Sequence, residues 1–302
     1  MKDLQVDYLD YYLLHGIGLG GMADFRKRFL DNKLLDFLFR ERKAGRIRNL
    51  GFSYHGDIEV FDYLLAMDVQ WDFAQIQLNY IDWKHASGWN TNAEYLLAEL
   101  TKKNVPAVIM EPLLGGRLSR VPSQALDIMQ QIHPQDTAAK WAFRYAGTPE
   151  RVLTVLSGMV YMEHLQENIR SYSPPLEPLN EEEYKALEQV TEVMLSSDYV
   201  QCTECQYCMP CPYGLDIPRV FAHYNRCVSA SNILKSSKDD NYKKARKAFL
   251  VGYDRSVPKL RQADHCISCG ICKPHCPQNI DIPTEMRRVD KYAENLKQEI
   301  EF

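Results

Sequence analysis

The chain has 302 residues and a formal charge of −4, with 45% apolar and 25% charged residues. These are globular values for one large domain or two ordinary ones, and they exclude wholesale disorder. No apolar run reaches the roughly 18 residues of a spanning helix, the start Met1-Lys2-Asp3-Leu4-Gln5 lacks the apolar stretch of a signal peptide, and the mild acidity gives no reason to expect nucleic acid or a membrane surface as partner.

Residues 7–15, Asp-Tyr-Leu-Asp-Tyr-Tyr-Leu-Leu-His, are short, aromatic and aliphatic, and predict a buried strand. A helix is expected over 31–44, with Asp31 as its cap, Leu34, Leu35, Leu38 and Phe39 on one face and Gly45 as its stop. Strands are then expected over 47–53, 73–79, 106–111 and 152–157, and helices over 58–67, 92–103, 136–146 and 180–196. The last helix opens after Asn180 on Glu181, Glu182 and Glu183, which suit the positive end of a helix dipole. Strands that alternate with helices imply parallel pairing, in a doubly wound sheet or a (β/α) barrel. No Gly-x-Gly-x-x-Gly stands between an early strand and helix, which weakens the dinucleotide-fold alternative. Polar residues gather at the carboxyl ends of the strands: His15, Ser53, Gln75 with Asn79, Glu111 and Ser157. In a barrel that rim carries the chemistry, although any one of them alone more often caps a strand or satisfies a loop.

All nine cysteines lie beyond residue 201. Clustered in a large chain with no export signal, they point to metal ligation in a reducing cytoplasm rather than to disulfides. The first array is Cys202-x2-Cys205-x2-Cys208-x2-Cys211-Pro212, and the second is Cys266-x2-Cys269-x2-Cys272-x3-Cys276-Pro277. The second matches the bacterial ferredoxin run, whose fourth cysteine ligates the other cluster; the first is one residue short before its fourth. Eight thiolates satisfy two [4Fe-4S] clusters. The expected sets are Cys202, Cys205, Cys208 and Cys276 on one, and Cys266, Cys269, Cys272 and Cys211 on the other, with Cys211 the least secure ligand. Paired Cys-x2-Cys also builds zinc sites, but the third cysteine and the Cys-Pro ending of each array favour iron and sulfide. Cys227, on an expected helix over 217–228, reads as a small buried hydrophobe. Further helices are expected over 241–251 and 283–299. The run Lys243-Lys244-Ala245-Arg246-Lys247 reads as a solvated face, with the docking of an acidic redox partner as the sharper alternative.

Leu4 to His15 resembles the fourth strand of aldo/keto reductases, which ends in their catalytic histidine. Gly51-Phe52-Ser53 is similar to their fifth strand, Gln75 to Asn79 to their sixth, Glu111 to Gly116 to the loop after the seventh, and Gly158 to Asn168 to the cofactor loop and helix after the eighth. The resemblance covers residues 1 to about 172 and implies the last five strands of an eight-stranded barrel. It supplies His15 of the catalytic tetrad and no counterpart of the family's Asp, Tyr and Lys. Met1 is therefore expected to be an internal methionine of a longer protein; the alternative is a shortened barrel completed by a partner, or by self-association through its open edges. By the same resemblance Ser53 and Gln75 hold the nicotinamide amide, and Glu167 and Asn168 the adenine edge. Tyr54 stands where many relatives have Asn, and Met110 replaces a stacking Tyr. Met159 to Met162 lack the cation that a 2′-phosphate needs, so NAD(P)(H) is expected without an NADPH preference, and nothing in the sequence excludes a flavin.

The cysteine-rich part resembles helical two-cluster ferredoxin domains, and Cys202 to Pro212 is similar to the shortened array of aldo/keto reductases that carry one. The expected fold is thus α/β, a partial (β/α)8 barrel over 1–172, a terminal barrel helix and linker over 173–198, and a helical dicluster domain over 199–302. The expected function is an iron–sulfur oxidoreductase that passes electrons between a small-molecule substrate and an external electron carrier. Two alternatives remain: an electron-transfer module whose barrel only docks, or a catalytically incompetent fragment.

Overall fold

The structure, a computed structural model, describes residues 2–88, 90–173, 176–234 and 236–299. Five strands form one sheet: β1 (Leu9–Ile17), β2 (Ile47–Tyr54), β3 (Phe73–Gln77), β4 (Ala107–Met110) and β5 (Val152–Val155). Each pairs in parallel with the next in the chain. A doubly wound sheet reverses its strand order at a switch point, whereas this chain winds one way throughout, as in a (β/α) barrel. The strands read as near-continuous apolar runs because helices cover them, and Leu14, Leu50, Phe52, Ile76 and Ile109 are all buried. Gly51 fits this packing for want of a side chain, since a Cβ there would lie 2.7 Å from the Phe73 ring.

In chain order, the helices up to residue 198 are the short α1 (Gly21–Phe25), α2 (Leu34–Lys43), α3 (Ile58–Ala66), the single turn α4 (Asp82–His85), α5 (Ala93–Lys102), α6 (Ser123–Ile132), α7 (Ala138–Gly147), α8 (Met162–Tyr172) and α9 (Glu181–Ser196). Helix α2 corrects one expectation. Asp31 closes a preceding π-helical turn, Arg26–Leu30, and the N-cap of α2 is Lys33 in the left-handed region. Asn32 takes over the capping work, its Oδ1 accepting the Leu34 N–H at 3.0 Å. The stop at Gly45 stands, with φ +75°. Helices α1 and α6 fall where no helix was expected.

Two compact units divide the chain: residues up to Pro112 with Ala142–Leu179, and Leu113–Trp141 with Asn180 onward. In the second unit α6 packs on α9. The start of α9 is a capping box, in which Asn180 Oδ1 accepts the Glu183 N–H and Glu183 Oε2 accepts the Asn180 N–H. Glu183 is 1% exposed, and its other oxygen meets His133 Nε2 at 2.7 Å. Helices α10 (Ile217–Ser229), α11 (Tyr242–Ser256) and α12 (Ile282–Gln298) complete this unit around Val220, Phe221, Phe249, Tyr253, Met286 and Val289. No helix among the described residues is long and apolar enough to cross a membrane.

Candidate functional site

The two cysteine arrays share one backbone. Two residues after the first cysteine the chain turns left-handed, at Glu204 (φ +56°) and Ser268 (φ +59°), and four residues after it turns left-handed again, at Gln206 (φ +67°) and Gly270 (φ +77°). Alternating right- and left-handed residues aim successive N–H groups inward, a concavity suited to an anionic group such as an iron–sulfur cluster. One such donor is resolved: the Glu204 N–H points to Cys202 Sγ at 3.4 Å. The likeness continues past the fourth cysteines. Cys211-Pro-Tyr-Gly-Leu-Asp216-Ile-Pro218 and Cys276-Pro-Gln-Asn-Ile-Asp281-Ile-Pro283 are one motif written twice. Gly214 and Asn279 are left-handed at matching places, and Asp216 and Asp281 cap α10 and α12. This repeat was legible in the sequence and was missed, because the cysteine spacing drew the reading and the residues beyond it did not.

Cys202, Cys205, Cys208 and Cys276 line one cavity with about 320 Å³ of empty space, part of it open to solvent, whose other walls include Ile217, Phe221, Ile280 and Ile282. Cys272 lies within electrostatic reach of Cys266, Cys269 and Cys211. The structure therefore brings Cys276 to the first three cysteines of the other array, and sets Cys211 near Cys272. A hydrogen bond from the Asp216 N–H to the Arg261 carbonyl, 3.1 Å, ties the chain leaving Cys211 to the turn that leads into Cys266. Among the described residues no three His, Cys, Asp or Glu side chains converge on a point for a single ion. Burial pushes the Cys202 thiol up to about 12 and those of Cys208 and Cys272 up to about 11. Iron takes up thiolates, so loading these sites displaces protons. Sulfur ligands, inward N–H groups and apolar walls fit a cubane cluster. Cys227 is buried in the helical core, its Sγ 3.6 Å from His223 Nε2.

At the carboxyl ends of the strands, Ser53 and Gln75 are register partners on β2 and β3. Ser53 is fully buried, and its Oγ accepts the Gly16 N–H at 3.0 Å. Gln75 Nε2 lies 3.3 Å from Met110 Sδ. His15 is exposed, its ring centroid 6.4 Å from that of His55. Arg28 donates to the carbonyls of His15 (3.0 Å) and Gly16 (3.3 Å) and so holds the end of β1. Burial first, and His15 second, push His55 down to about 4, so its imidazole is neutral at physiological pH. His55 and Arg28 were not singled out from the sequence, though His55 lies only two residues past Ser53. Glu167 and Asn168 are half-buried on α8, where Asn168 Nδ2 donates to Ser157 Oγ at 2.9 Å. Asn79 is buried and wholly structural: its Oδ1 caps Ile81 and Asp82, and its Nδ2 donates to Asp82 and to the Glu111 carbonyl.

A parallel sheet wound in one direction, with polar residues at its strand ends and two cysteine arrays behind it in sequence, fits a partial (β/α) barrel followed by a dicluster domain. The family profile "Aldo/keto reductase family" matches residues 1–192, and "4Fe-4S dicluster domain" matches residues 201–280. The chain belongs to the aldo/keto reductase family and carries a 4Fe-4S dicluster domain. Among solved structures it is similar to an aldo-keto reductase from Bacillus halodurans in its holo form, at 21% identity over 63% of each chain with a TM-score of 0.48. Others are an aldo-keto reductase from Klebsiella pneumoniae in complex with NADPH (21% identity, 63% of this chain and 61% of that one, TM-score 0.48) and one from Brucella melitensis (18%, 63% of each, 0.45). The chain thus spans 61% to 63% of the length of these structures. No curated protein gives a significant match.

Proposed function

We propose that this chain is an iron–sulfur oxidoreductase in which redox chemistry at the strand ends is coupled to single-electron transfer through two [4Fe-4S] clusters. The observation that carries the reading is the cavity walled by Cys202, Cys205, Cys208 and Cys276, because it joins two arrays some 60 residues apart in the way a dicluster domain requires. When bound, the clusters supply one-electron carriers. The chain's own residues would hold them by eight thiolates, with the Glu204 N–H directed at Cys202 Sγ and apolar walls from Ile217, Phe221 and Ile282. At the strand ends, Gln75 and Ser53 would present an amide and a hydroxyl to a nicotinamide carboxamide, and Glu167 and Asn168 would meet the adenine edge. The His15 imidazole is the exposed group able to hold or pass a proton there. The substrate is a small molecule, and an external carrier takes or gives the single electrons.

The test is anaerobic mixing of the iron-loaded protein with NADH or NADPH and a panel of small carbonyl compounds and alcohols. Bleaching of the visible cluster absorbance with substrate turnover supports the coupling. Clusters that dithionite reduces and nicotinamide never does, with any substrate, contradict it. One observation favours a second reading, an electron-transfer module with no chemistry of its own: Ser53 is fully buried, its Oγ accepting the Gly16 N–H inside the core. Reversible cluster reduction without nucleotide binding would select that reading.

A further inference from the structure

The iron–sulfur region differs in charge from the rest of the chain. Residues 199–302 hold 16 Lys and Arg against 12 Asp and Glu, whereas residues 1–198 hold 20 against 28. Among the described residues, four of its six exposed large apolar side chains lie by the array cysteines. Tyr207, Tyr213, Ile267 and Ile271 are all exposed, and each lies within two residues of an array cysteine. Three of them flank the second cysteine set: Tyr213 follows Cys211, Ile267 follows Cys266, and Ile271 precedes Cys272. Apolar groups around otherwise polar loops are the usual centre of a protein contact.

Beside them stands a short turn, Lys259–Arg261, whose three residues are exposed, Leu260 to 79%. The turn is held from below. Gln262 is buried, and its Nε2 donates to the Val257 carbonyl and to Asp254, each at 3.0 Å. The Arg261 carbonyl accepts the Asp216 N–H, which brings the turn to the loop that carries Tyr213. Among the described residues neither Lys259 nor Arg261 makes an ion pair, whereas Lys273 is paired with Asp281 at 3.1 Å. The exposed Cys269 belongs to the same array. Residues 259–272 thus carry two unpaired cations on a braced turn, exposed apolar side chains and a solvent-facing ligand, and the Asp216–Arg261 hydrogen bond brings the Tyr213 loop to them.

We infer that this face, Tyr213, Ile267 and Ile271 with Lys259 and Arg261, docks a small acidic one-electron carrier protein. This rests on the functional reading above and assigns its exit to the Cys211, Cys266, Cys269 and Cys272 set. One electron leaves the reduced protein and one enters the oxidised carrier; no bond forms or breaks. Lys243, Lys244 and Lys247 are an exposed basic run on α11 with no exposed cluster ligand among them, and Arg246 in that run donates to the Leu296 carbonyl and pairs with Glu299.

The test uses the full chain, iron-loaded under anaerobic conditions, with an acidic bacterial flavodoxin as probe. Electron paramagnetic resonance of the dithionite-reduced protein first establishes the clusters. Calorimetry then gives the flavodoxin dissociation constant. The paired change Lys259→Glu with Arg261→Glu weakens binding about tenfold or more at low salt, and added salt weakens the unmodified protein similarly. Ile267→Ser weakens it without changing the salt dependence, and Lys243→Glu with Lys244→Glu leaves it within about twofold. Reduced protein without cluster signals overturns the functional reading and this inference with it. Clusters present, with an affinity indifferent to residues 259 and 261 or governed by 243 and 244, overturn the inference alone.

Discussion

Gly115 lies directly against Thr203, the residue that follows the first cysteine of the first array. A Cβ on Gly115 would fall 2.6 Å from Thr203 Cα and 2.7 Å from its carbonyl oxygen, and the backbone there is left-handed at φ +63°. The obstacle is main chain, which cannot rotate away as a side-chain tip can. Gly115→Ala therefore pushes the Cys202 loop and adds the strain of a left-handed alanine, together about 2 kcal/mol or more. The expected result is a lower iron-to-protein ratio and a lower melting temperature, with Gly116→Ala, which meets nothing within 4 Å, as the milder comparison. Equal iron loading in both variants would show that the contact does not matter.

The ninth cysteine separates ligation from packing. Cys276→Ala removes a wall of the cavity and should abolish the signals of one cluster while leaving the other. Cys227→Ala should keep the full iron and sulfide content and cost about 1–2 kcal/mol, the loss of a buried sulfur from the α10 core. Iron and acid-labile sulfide analysis with denaturant unfolding checks both.

Ser53→Ala leaves the buried Gly16 N–H without its acceptor, which costs about 1–3 kcal/mol. That loss should appear in urea unfolding whether or not a nucleotide is present. If Ser53 also holds a nicotinamide, nucleotide affinity falls as well; a variant as stable as the parent would contradict the structural role.

His223 sets an acid-side slope. Its Nε2 lies 3.0 Å from the Phe249 carbonyl, its ring stacks on Tyr253 at 5.4 Å, and burial, helped by Arg226, pushes it down to about 4. Between its ordinary value of about 6.5 and 4, the unfolded chain binds a proton that the folded one refuses. Stability from this group is therefore full above pH 6.5 and falls by about 1.4 kcal/mol per unit as pH drops toward 4. Denaturant unfolding at pH 7, 6 and 5 should show a shallower decline in His223→Phe than in the parent protein. Parallel declines would contradict the assignment.

The strands were readable because each is a short apolar run between turn residues, and β2 over Ile47–Tyr54 and β3 over Phe73–Gln77 fall where expected. Helix α6 was not, because only Ala125 and Met129 are buried on it, too few to mark a face. The start of α2 was misplaced because Asp31 is a better cap by type than Lys33, yet the preceding π-helical turn had already taken it. At the clusters, cysteine spacing carried the grouping within each array, since those three cysteines are local in sequence. The contact of Gly115 with Thr203 and the approach of His55 to His15 join distant segments, and no local pattern announces them.

The central claim is that eight cysteines hold two cubane clusters. Mössbauer spectroscopy of the protein loaded anaerobically with 57Fe, with iron and sulfide counted on the same sample, tests it most directly. The account predicts about eight iron and eight sulfide per chain, all in cubane environments. A colourless protein that takes up zinc in place of iron and sulfide would contradict it.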